Sequence, residues 1–203
     1  MIKIGDKREN SQRKIISNGE PFVISKGRIG AIVGYPMLVA NKQDIFEEKI
    51  FEKFVRAPGT RMLIKKDKKI LLQEEYRTET NSIDWRLPGG KVLDTFEEYE
   101  KYLNINIPEE TIIISGKKEL EEEVGLAAKN IKIIEKSVCG ATVQWDLFYL
   151  LVEEFDMVKN KENHETEDIL CHKWFTDKEV IEMCKNGSIS EDRSVAVLLK
   201  YLL

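Results

Sequence analysis

The sequence GKKELEEEVGL, residues 116–126, places four glutamates on little more than one turn of a helix. At about 100° per residue, three of them share one helix face: Glu119, Glu122 and Glu123. Gly125 is typical of the residue that ends a helix. The carboxylates therefore lie in the last turns, where the helix dipole favours cations and where like charges three or four residues apart repel each other.

This acidic run has two interpretations. A glutamate-rich segment is commonly no more than a solvated helix face. Alternatively, a hard divalent cation bound by carboxylate oxygens, together with substrate phosphates, would remove the repulsion. Because the charges occupy the unfavourable end of the helix, we favour the second interpretation and predict a metal site at Glu119, Glu122 and Glu123.

Composition limits the classes of protein that fit. A chain of 203 residues with 42% hydrophobic content can bury one main core, with at most a small appendage. The net charge of −4 and the scattered Lys and Arg argue against a nucleic-acid partner. The longest apolar stretch, residues 29–40, is too short and too broken to span a membrane. Three cysteines without a CxxC pair favour a cytoplasmic chain.

Residues 1–55 are predicted to form a small β-rich appendage. Short apolar runs at 22–24, 29–33 and 37–40 are separated by the turn-forming residues Gly27, Gly34 and Pro36, which predicts short strands. Residues 43–54 fit either a helix or a strand by their spacing. Since this region is apolar but precedes the main core, we expect it to serve as a dimerisation element in a homodimer.

Residues 56–203 are predicted to form the main domain. Pro88-Gly89-Gly90 predicts a tight bend that allows a ligand to approach the backbone. Apolar periodicity and capping residues predict the remaining elements, in chain order: a hairpin at 62–64 and 70–72, helices at 96–102 and 108–124, strands at 130–138 and 143–152, a helix after Thr176 that stops at Gly187, and a final helix carrying Val195 and Leu202.

The bend and the acidic helix together resemble the signature of the Nudix hydrolase family, G-x5-E-x7-R-E-U-x-E-E-x-G-U, in which U is aliphatic. Residues 118–126 match its second half at every fixed position except the first, where Lys118 replaces Arg. The first half is stretched, because Gly90 and Lys118 are 28 positions apart where the signature has 14. This indicates an insertion around residues 94–110.

The stretching also affects the first glutamate of the signature. Phe96 stands at its position, so that glutamate is either displaced to Glu97 or Glu98, or absent. Beyond the signature, residues 55–203 are similar to the ADP-ribose pyrophosphatase branch of the family. The stretches that carry this likeness are Glu75-Tyr76-Arg77, Trp85 to Gly90, and the acidic loop 165–168 that leads to Trp174. Where that branch has a Pro-Gly pair after the strand that follows the signature, this chain has Cys139-Gly140.

The resemblance implies an α/β (α+β) fold, an α/β/α sandwich with a mixed central sheet. It also implies hydrolysis of the pyrophosphate in a nucleoside diphosphate linked to another group, either ADP-ribose or a nucleotide sugar. The products would be AMP, or another nucleoside monophosphate, and a sugar phosphate. The cofactor would be Mg²⁺, with Mn²⁺ as the alternative, held by Glu119, Glu122, Glu123 and a backbone oxygen of Gly90.

The resemblance also implies roles for other residues. Glu165 is the first candidate for the general base and Glu167 the second, while Glu119 could act if the loop does not close. Lys118 keeps the charge of the signature arginine but not its planar fork. The expected substrate contacts are Arg77 and Arg86 for phosphate or ribose, and Trp85 or Tyr76 for the base.

Two other functions fit the same residues. The first is a Nudix enzyme with a different diphosphate substrate. The second is a Nudix-like module that senses a nucleotide without cleaving it. The intact set of three glutamates argues against the sensor, because a module that needs no metal has no reason to keep mutually repelling carboxylates. The displaced first glutamate argues for it.

Overall fold

The computed structural model describes residues 14–41, 43–158 and 168–203. The strands are β1 (Ile15–Ser17), β2 (Phe22–Lys26), β3 (Ala31–Ala40), β4 (Phe46–Val55), β5 (Gly59–Lys66), β6 (Lys69–Arg77), β7 (Ser82–Arg86), β8 (Leu126–Ser137), β9 (Val143–Gln144), β10 (Leu147–Met157) and β11 (Ile169–Thr176). The helices are α1 (Phe96–Glu100), α2 (Glu109–Glu119), which continues as a π-helical turn at Leu120–Val124, α3 (Asp177–Asn186) and α4 (Asp192–Leu202).

The larger sheet is mixed and six-stranded, in the order β11-β6-β5-β10-β8, with β7 beside β6. Strand β10 runs parallel to β5, and the other pairs are antiparallel. Alternate residues face opposite sides, so Met62 and Ile64 pack towards α2 while Leu63 packs towards α3 and α4. Helices therefore cover both faces of the sheet, which confirms the predicted α/β fold with a mixed central sheet.

Strands β5 and β6 stay together for only a short distance. A tight turn at Asp67 and Lys68, both with positive φ (51° and 59°), joins them as the hairpin pattern predicted. They pair only at Lys65 with Ile70 and at Lys66 with Lys69, and β6 then pairs with β7 instead. The backbone of Pro88–Gly90 takes the place of β6 beside β5, with its carbonyls accepting from Met62 and Thr60. The two strands thus diverge around an opening.

The smaller sheet has the order β1-β3-β4-β9, with β2 beside β3. The predicted break at Gly34 and Pro36 is wrong, because β3 runs through both residues. At Gly34 the strand continues because the Phe22 ring lies over the missing side chain, 2.8 Å from where a Cβ would stand. Pro36 is tolerated within the strand because its missing N–H would face a gap. The Pro36 carbonyl accepts from the Asn18 N–H just beyond β1, and the nitrogen and carbonyl of a strand residue point to the same side. The missing N–H therefore also faces the gap between β1 and β2.

The ambiguous segment 43–54 forms strand β4, since its residues pair along the full length of β3. The smaller sheet is also joined to the rest of the chain. Strand β9 pairs in parallel with the end of β4, and Phe96 and Tyr99 of α1 pack in one cluster with Ala31, Val33 and Val55. The insertion therefore covers one end of the inner face of the smaller sheet.

The acidic helix begins after Pro108 and changes from α to π geometry at Leu120. Gly125 ends it with a φ of 72°, a left-handed conformation that glycine adopts without strain. No helix among the described residues is long and apolar enough to cross a membrane.

Gly116 sets how closely α2 approaches the sheet, because a Cβ at this position would lie 2.1 Å from Leu150 Cδ1. We expect Gly116→Ala to destabilise the protein by about 1–2 kcal/mol, since overpacking outweighs the gain in helix propensity. The midpoint of urea unfolding measures this, with exposed Glu121→Ala as the control expected to leave the midpoint unchanged. A midpoint for Gly116→Ala at or above that of the parent would contradict the packing argument.

Candidate functional site

A cleft of about 220 Å³ lies where β5 and β6 diverge. Its lining comes from residues far apart in the chain: Arg56, Arg61, Glu75, Arg77, Arg86, Gly89, Gly90, Lys91, Glu123 and Trp145 among them. Charged side chains thus dominate its walls. The bend at Gly89-Gly90 forms the side of the cleft that adjoins the acidic helix.

Two glutamates of the acidic helix reach this bend. The Gly89 N–H donates a 3.0 Å hydrogen bond to Glu123 Oε2, and the Lys91 backbone lies near enough to Glu119 to favour its ionised form. A Cβ at position 90 would lie 2.1 Å from the Glu119 carboxyl carbon, so only glycine leaves room for that carboxylate. The glycine bend and the acidic helix belong to the same family signature in the sequence, and the structure shows that they are in contact.

The carboxylates here are electrostatically unfavourable in the absence of a cation. Burial raises the pKa of Glu123 to about 7, and Glu119 and Glu75 add to the effect, while the Gly89 N–H opposes it. Burial and then repulsion from Glu122 likewise raise the pKa of Glu119. A positive charge at this position would stabilise both ionised forms.

The oxygen donors suit a hard divalent cation. Within the described ranges no three His, Cys, Asp or Glu side chains stand ready as a metal cluster. Mg²⁺ does not require one, because it is typically held by one or two carboxylates together with water and substrate phosphate. Glu119 and Glu123 meet at the glycine bend, and the space at Gly90 is filled by a carboxylate, so the residues fit this ion. Glu122 is more exposed, with Lys118 Nζ 4.0 Å from its Oε1.

The arginines of the cleft are fixed by carboxylates. Arg61 forms a two-pronged pair with Glu191, through Nε at 2.8 Å and Nη2 at 2.7 Å, and Arg86 Nη2 lies 3.1 Å from the same carboxylate. Arg77 Nη1 lies 2.5 Å from Glu75 Oε1. Burial raises the pKa of Glu191, but the hydrogen bonds and charge of Arg61 outweigh it and lower the pKa to about 2. Glu191 is therefore ionised at neutral pH and holds two guanidinium groups in position.

Arg56 differs from these arginines. Its guanidinium lies 4.5 Å from the centre of the Trp145 ring. None of the ion pairs found in the described parts of the chain involves Arg56 or Lys91. Burial and then repulsion from Arg61 and Arg77 lower the pKa of Arg56. An anion entering the cleft would relieve this repulsion.

The structure brings some of the predicted residues together. Arg77, Arg86, Gly90 and Glu123 line the cleft, and Glu119 adjoins it. Lys118 is exposed on the acidic helix. Glu165 and Glu167 lie outside the described residues, so their predicted role as general base stays a prediction.

The two predicted aromatic contacts lie elsewhere. Trp85 lies on the opposite face of β7 from Arg86. Its ring packs edge-on against Phe175, with ring centres 4.9 Å apart. The Tyr76 hydroxyl donates to Asn81 at 2.7 Å. Trp145 is the aromatic residue that lines the cleft, and sequence reasoning missed it. It also missed Arg56, Glu75 and Glu191, although the spacing of Glu75 and Arg77 already placed them on one side of a strand.

Comparison with known proteins agrees with this geometry. The sequence profile of the NUDIX domain matches residues 55–196, well over half of the chain. The chain belongs to the Nudix family. The resemblance found in its sequence is thereby confirmed, and with it the expectation of a Nudix hydrolase. No curated protein sequence matches the chain.

A solved structure with a similar fold is that of an ADP compounds hydrolase, at 13% sequence identity and a TM-score of 0.64. The match covers 93% of this chain and 91% of the other. Residues 55–203 make up less than three-quarters of this chain. A match that covers 93% of it therefore also includes most of residues 1–54. The smaller sheet is thus part of the shared fold.

The candidates for the displaced signature glutamate have other partners in this Nudix hydrolase. Glu97 pairs with Lys26 of β2, and Glu98 accepts from the Asp94 N–H at 3.0 Å. Phe96, at the signature position itself, is buried in the cluster beneath the smaller sheet. Phe96 and Glu97 therefore attach α1 to the smaller sheet.

The raised pKa of Glu123 predicts a pH-dependent cost to stability. Below pH 4.5 the carboxyl is protonated in both folded and unfolded chains, and as the pH rises towards 7 only the unfolded chain gains the full benefit of ionisation. We expect Glu123→Gln to stabilise the metal-free protein by about 2 kcal/mol at pH 8, a figure that allows for screening by water.

Urea unfolding in EDTA between pH 4.5 and 8 measures this effect. The gain should shrink as the pH falls, whereas the exposed change Glu121→Gln should show no such trend. An equal gain at both ends of the pH range would show that ionisation of Glu123 is not its source.

Proposed function

We propose that this Nudix hydrolase cleaves the pyrophosphate of a nucleoside diphosphate linked to another group, with Mg²⁺ as cofactor and Mn²⁺ as the alternative. The observation that supports this most is the convergence of Glu119 and Glu123 on the glycine bend beside a cleft lined with arginines. Carboxylates that would hold a cation and guanidinium groups that would hold anions are the two components that a diphosphate substrate requires.

Glu119, Glu122, Glu123 and the Gly90 carbonyl are the proposed metal ligands. The Gly90 oxygen accepts one hydrogen bond, from Thr60 N–H at 2.8 Å, and has a second lone pair for a metal. A bound divalent ion supplies neutralisation of phosphate charge and a water of lowered pKa. Lys118 is proposed to take the place of the signature arginine by orienting Glu122, since its Nζ lies 4.0 Å from that carboxylate.

The substrate would be held by the arginines. Arg86 and Arg77 are anchored by Glu191 and Glu75, so they present guanidinium groups of fixed geometry to the phosphates and ribose. Arg56, which pairs with no carboxylate among the described residues, adds positive charge where it is not yet compensated. Together with the similar fold of an ADP compounds hydrolase, this favours ADP-ribose or a nucleotide sugar as substrate, giving AMP, or another nucleoside monophosphate, and a sugar phosphate.

For the general base we propose Glu165, with Glu167 as the second candidate. The support is the position of the next residue that the structure describes. The Asp168 carbonyl accepts from the Tyr76 N–H at 2.8 Å, which places the end of the acidic stretch beside the strand that carries Glu75 and Arg77. A base delivered from this side would face the phosphates across the cleft from the metal ligands.

The decisive experiment is a panel of nucleoside diphosphate derivatives incubated with the purified protein and Mg²⁺, with products separated by chromatography. We expect AMP release from ADP-ribose, and a loss of about a hundredfold or more in kcat/KM for Glu122→Gln, because a group that holds the stabilising charge is removed. Glu121→Gln, one residue away on the other side of the helix, is the matched control and should retain the parent rate.

The two rival functions give different results in the same panel. Cleavage of another diphosphate, but not of ADP-ribose, would identify a Nudix enzyme of different specificity. Binding measured by calorimetry without any product would establish the nucleotide-sensing module and overturn the proposed hydrolysis.

We further propose that the chain forms a homodimer through the outer face of the smaller sheet. Cross-strand pairing puts four large apolar side chains on this face: Ile16, Phe22, Phe46 and Ile50. Each of them is 41–56% exposed, whereas the end of the opposite face that carries Ala31, Val33 and Val55 is buried beneath α1. An apolar face of this kind on a soluble chain favours a partner surface of the same composition.

Light scattering tests the dimer. We expect the mass of two chains for the parent and of one chain for Ile50→Lys, because the new charge would lie within the apolar contact. Lys49→Glu, on the opposite face of β4, should leave the mass at two chains. A monomeric parent protein would disprove the dimer without affecting the proposed hydrolysis.

A further inference from the structure

A cavity of about 630 Å³, larger than the cleft, lies outside it. The insertion forms one of its walls, through Tyr99, Tyr102 and the segment 103–107. The ends of β4 and β8, the start of α2 and the segment 143–148 form the others. The cavity and the cleft share only Pro58 in their linings. Its volume is that of a site for a ligand of small-molecule size.

The lining combines aromatic and amide groups with charge. Tyr99, Tyr102 and Phe148 contribute rings, while Asn106 and Asn104, whose amide nitrogen donates to Glu20, contribute carboxamides. Rings of this kind stack on a planar heterocycle, and carboxamides both donate to and accept from its edge. The chemistry on this side of the cavity therefore suits a nucleobase.

One wall also carries an uncompensated positive charge. Lys53 Nζ lies 4.9 Å from the centre of the Tyr35 ring and takes part in none of the ion pairs of the described residues. By contrast, the other lysine of the lining, Lys136, is paired at 2.6 Å with Asp146. The remaining carboxylate, Glu109, lies at the start of α2 and can accept from a base amino group.

The wall that carries Lys53 is held firmly in place. The Tyr35 hydroxyl donates to Gln144 Oε1 at 3.1 Å, and Gln144 Nε2 donates to the Tyr99 hydroxyl at 2.9 Å. The same segment is bonded to the end of β4, where the Arg56 N–H donates to the Gln144 carbonyl at 3.0 Å. A ligand entering this cavity would thus meet preorganised polar groups, which lowers the entropic cost of binding.

From these features we propose that the cavity is a second binding site, distinct from the cleft, for a nucleoside monophosphate. Its phosphate would pair with Lys53, its base would lie among Tyr102, Phe148 and the carboxamides, and the insertion is what creates the site. This binding does not depend on the proposed hydrolysis, because none of its residues is a proposed metal ligand or base.

Calorimetry of the full chain with AMP tests the proposal, since AMP would bind the cleft as well as the cavity. We expect two sites per chain in the parent protein. Lys53→Met should weaken one of them by about tenfold or more, because a charged contact to the phosphate is lost. Lys49→Met, four residues earlier on the same face of β4, should retain both sites.

A cleft variant separates the two sites. Arg77→Ala should lose the other site while keeping the one that depends on Lys53. Asn106→Trp, at an exposed position of the lining, should close the cavity and abolish the Lys53-dependent site. A single site lost in Arg77→Ala, no AMP binding at all, or equal affinities for the parent and Lys53→Met would each overturn the proposal.

Discussion

The contact on which the functional part of this structure depends is that between the backbone of Gly89-Gly90 and the carboxylates of the acidic helix. Like charges at the end of a helix repel each other, and burial makes ionisation costlier still, as the pKa of about 7 for Glu123 shows. The Gly89 N–H offsets part of that cost by donating to Glu123, and the Lys91 backbone favours the ionised form of Glu119. The contact requires glycine at position 90, because any side chain there would occupy the space of the Glu119 carboxylate.

The divergence of β5 and β6 makes this contact possible. Where β6 leaves β5, the carbonyls of the bend accept from Thr60 and Met62, so these two N–H groups stay paired where the cleft opens. On the other side, Glu191 of the final loop holds Arg61 and Arg86, and its pKa of about 2 keeps it charged throughout the neutral range. Anionic and cationic groups thus face each other across the cleft, each fixed by the backbone or by a buried partner.

The smaller sheet and the insertion form a second unit around the first. Sequence reasoning treated residues 1–55 as an appendage and the insertion as a separate addition. In the structure, α1 of the insertion buries one end of the inner face of the sheet, and β9 extends that sheet from the main domain. Parallel pairing of β4 with β9 joins residues about 90 positions apart, a link that no local pattern reveals. The insertion thereby gains a structural role and also builds the larger cavity.

The resemblance of one stretch to a known signature indicated the family. The sequence by itself also determined the hairpin at Asp67, the capped helix after Thr176 and the acidic helix that ends at Gly125. These features follow from short-range rules of spacing, turn chemistry and helix periodicity, which act within a few residues. Tertiary structure alone decided that β3 continues through Gly34 and Pro36, that Trp85 packs against Phe175 while Trp145 lines the cleft, and that Glu191 anchors two arginines. Each of these depends on which distant strand or loop supplies the neighbouring group, and that is settled only when the sheets assemble.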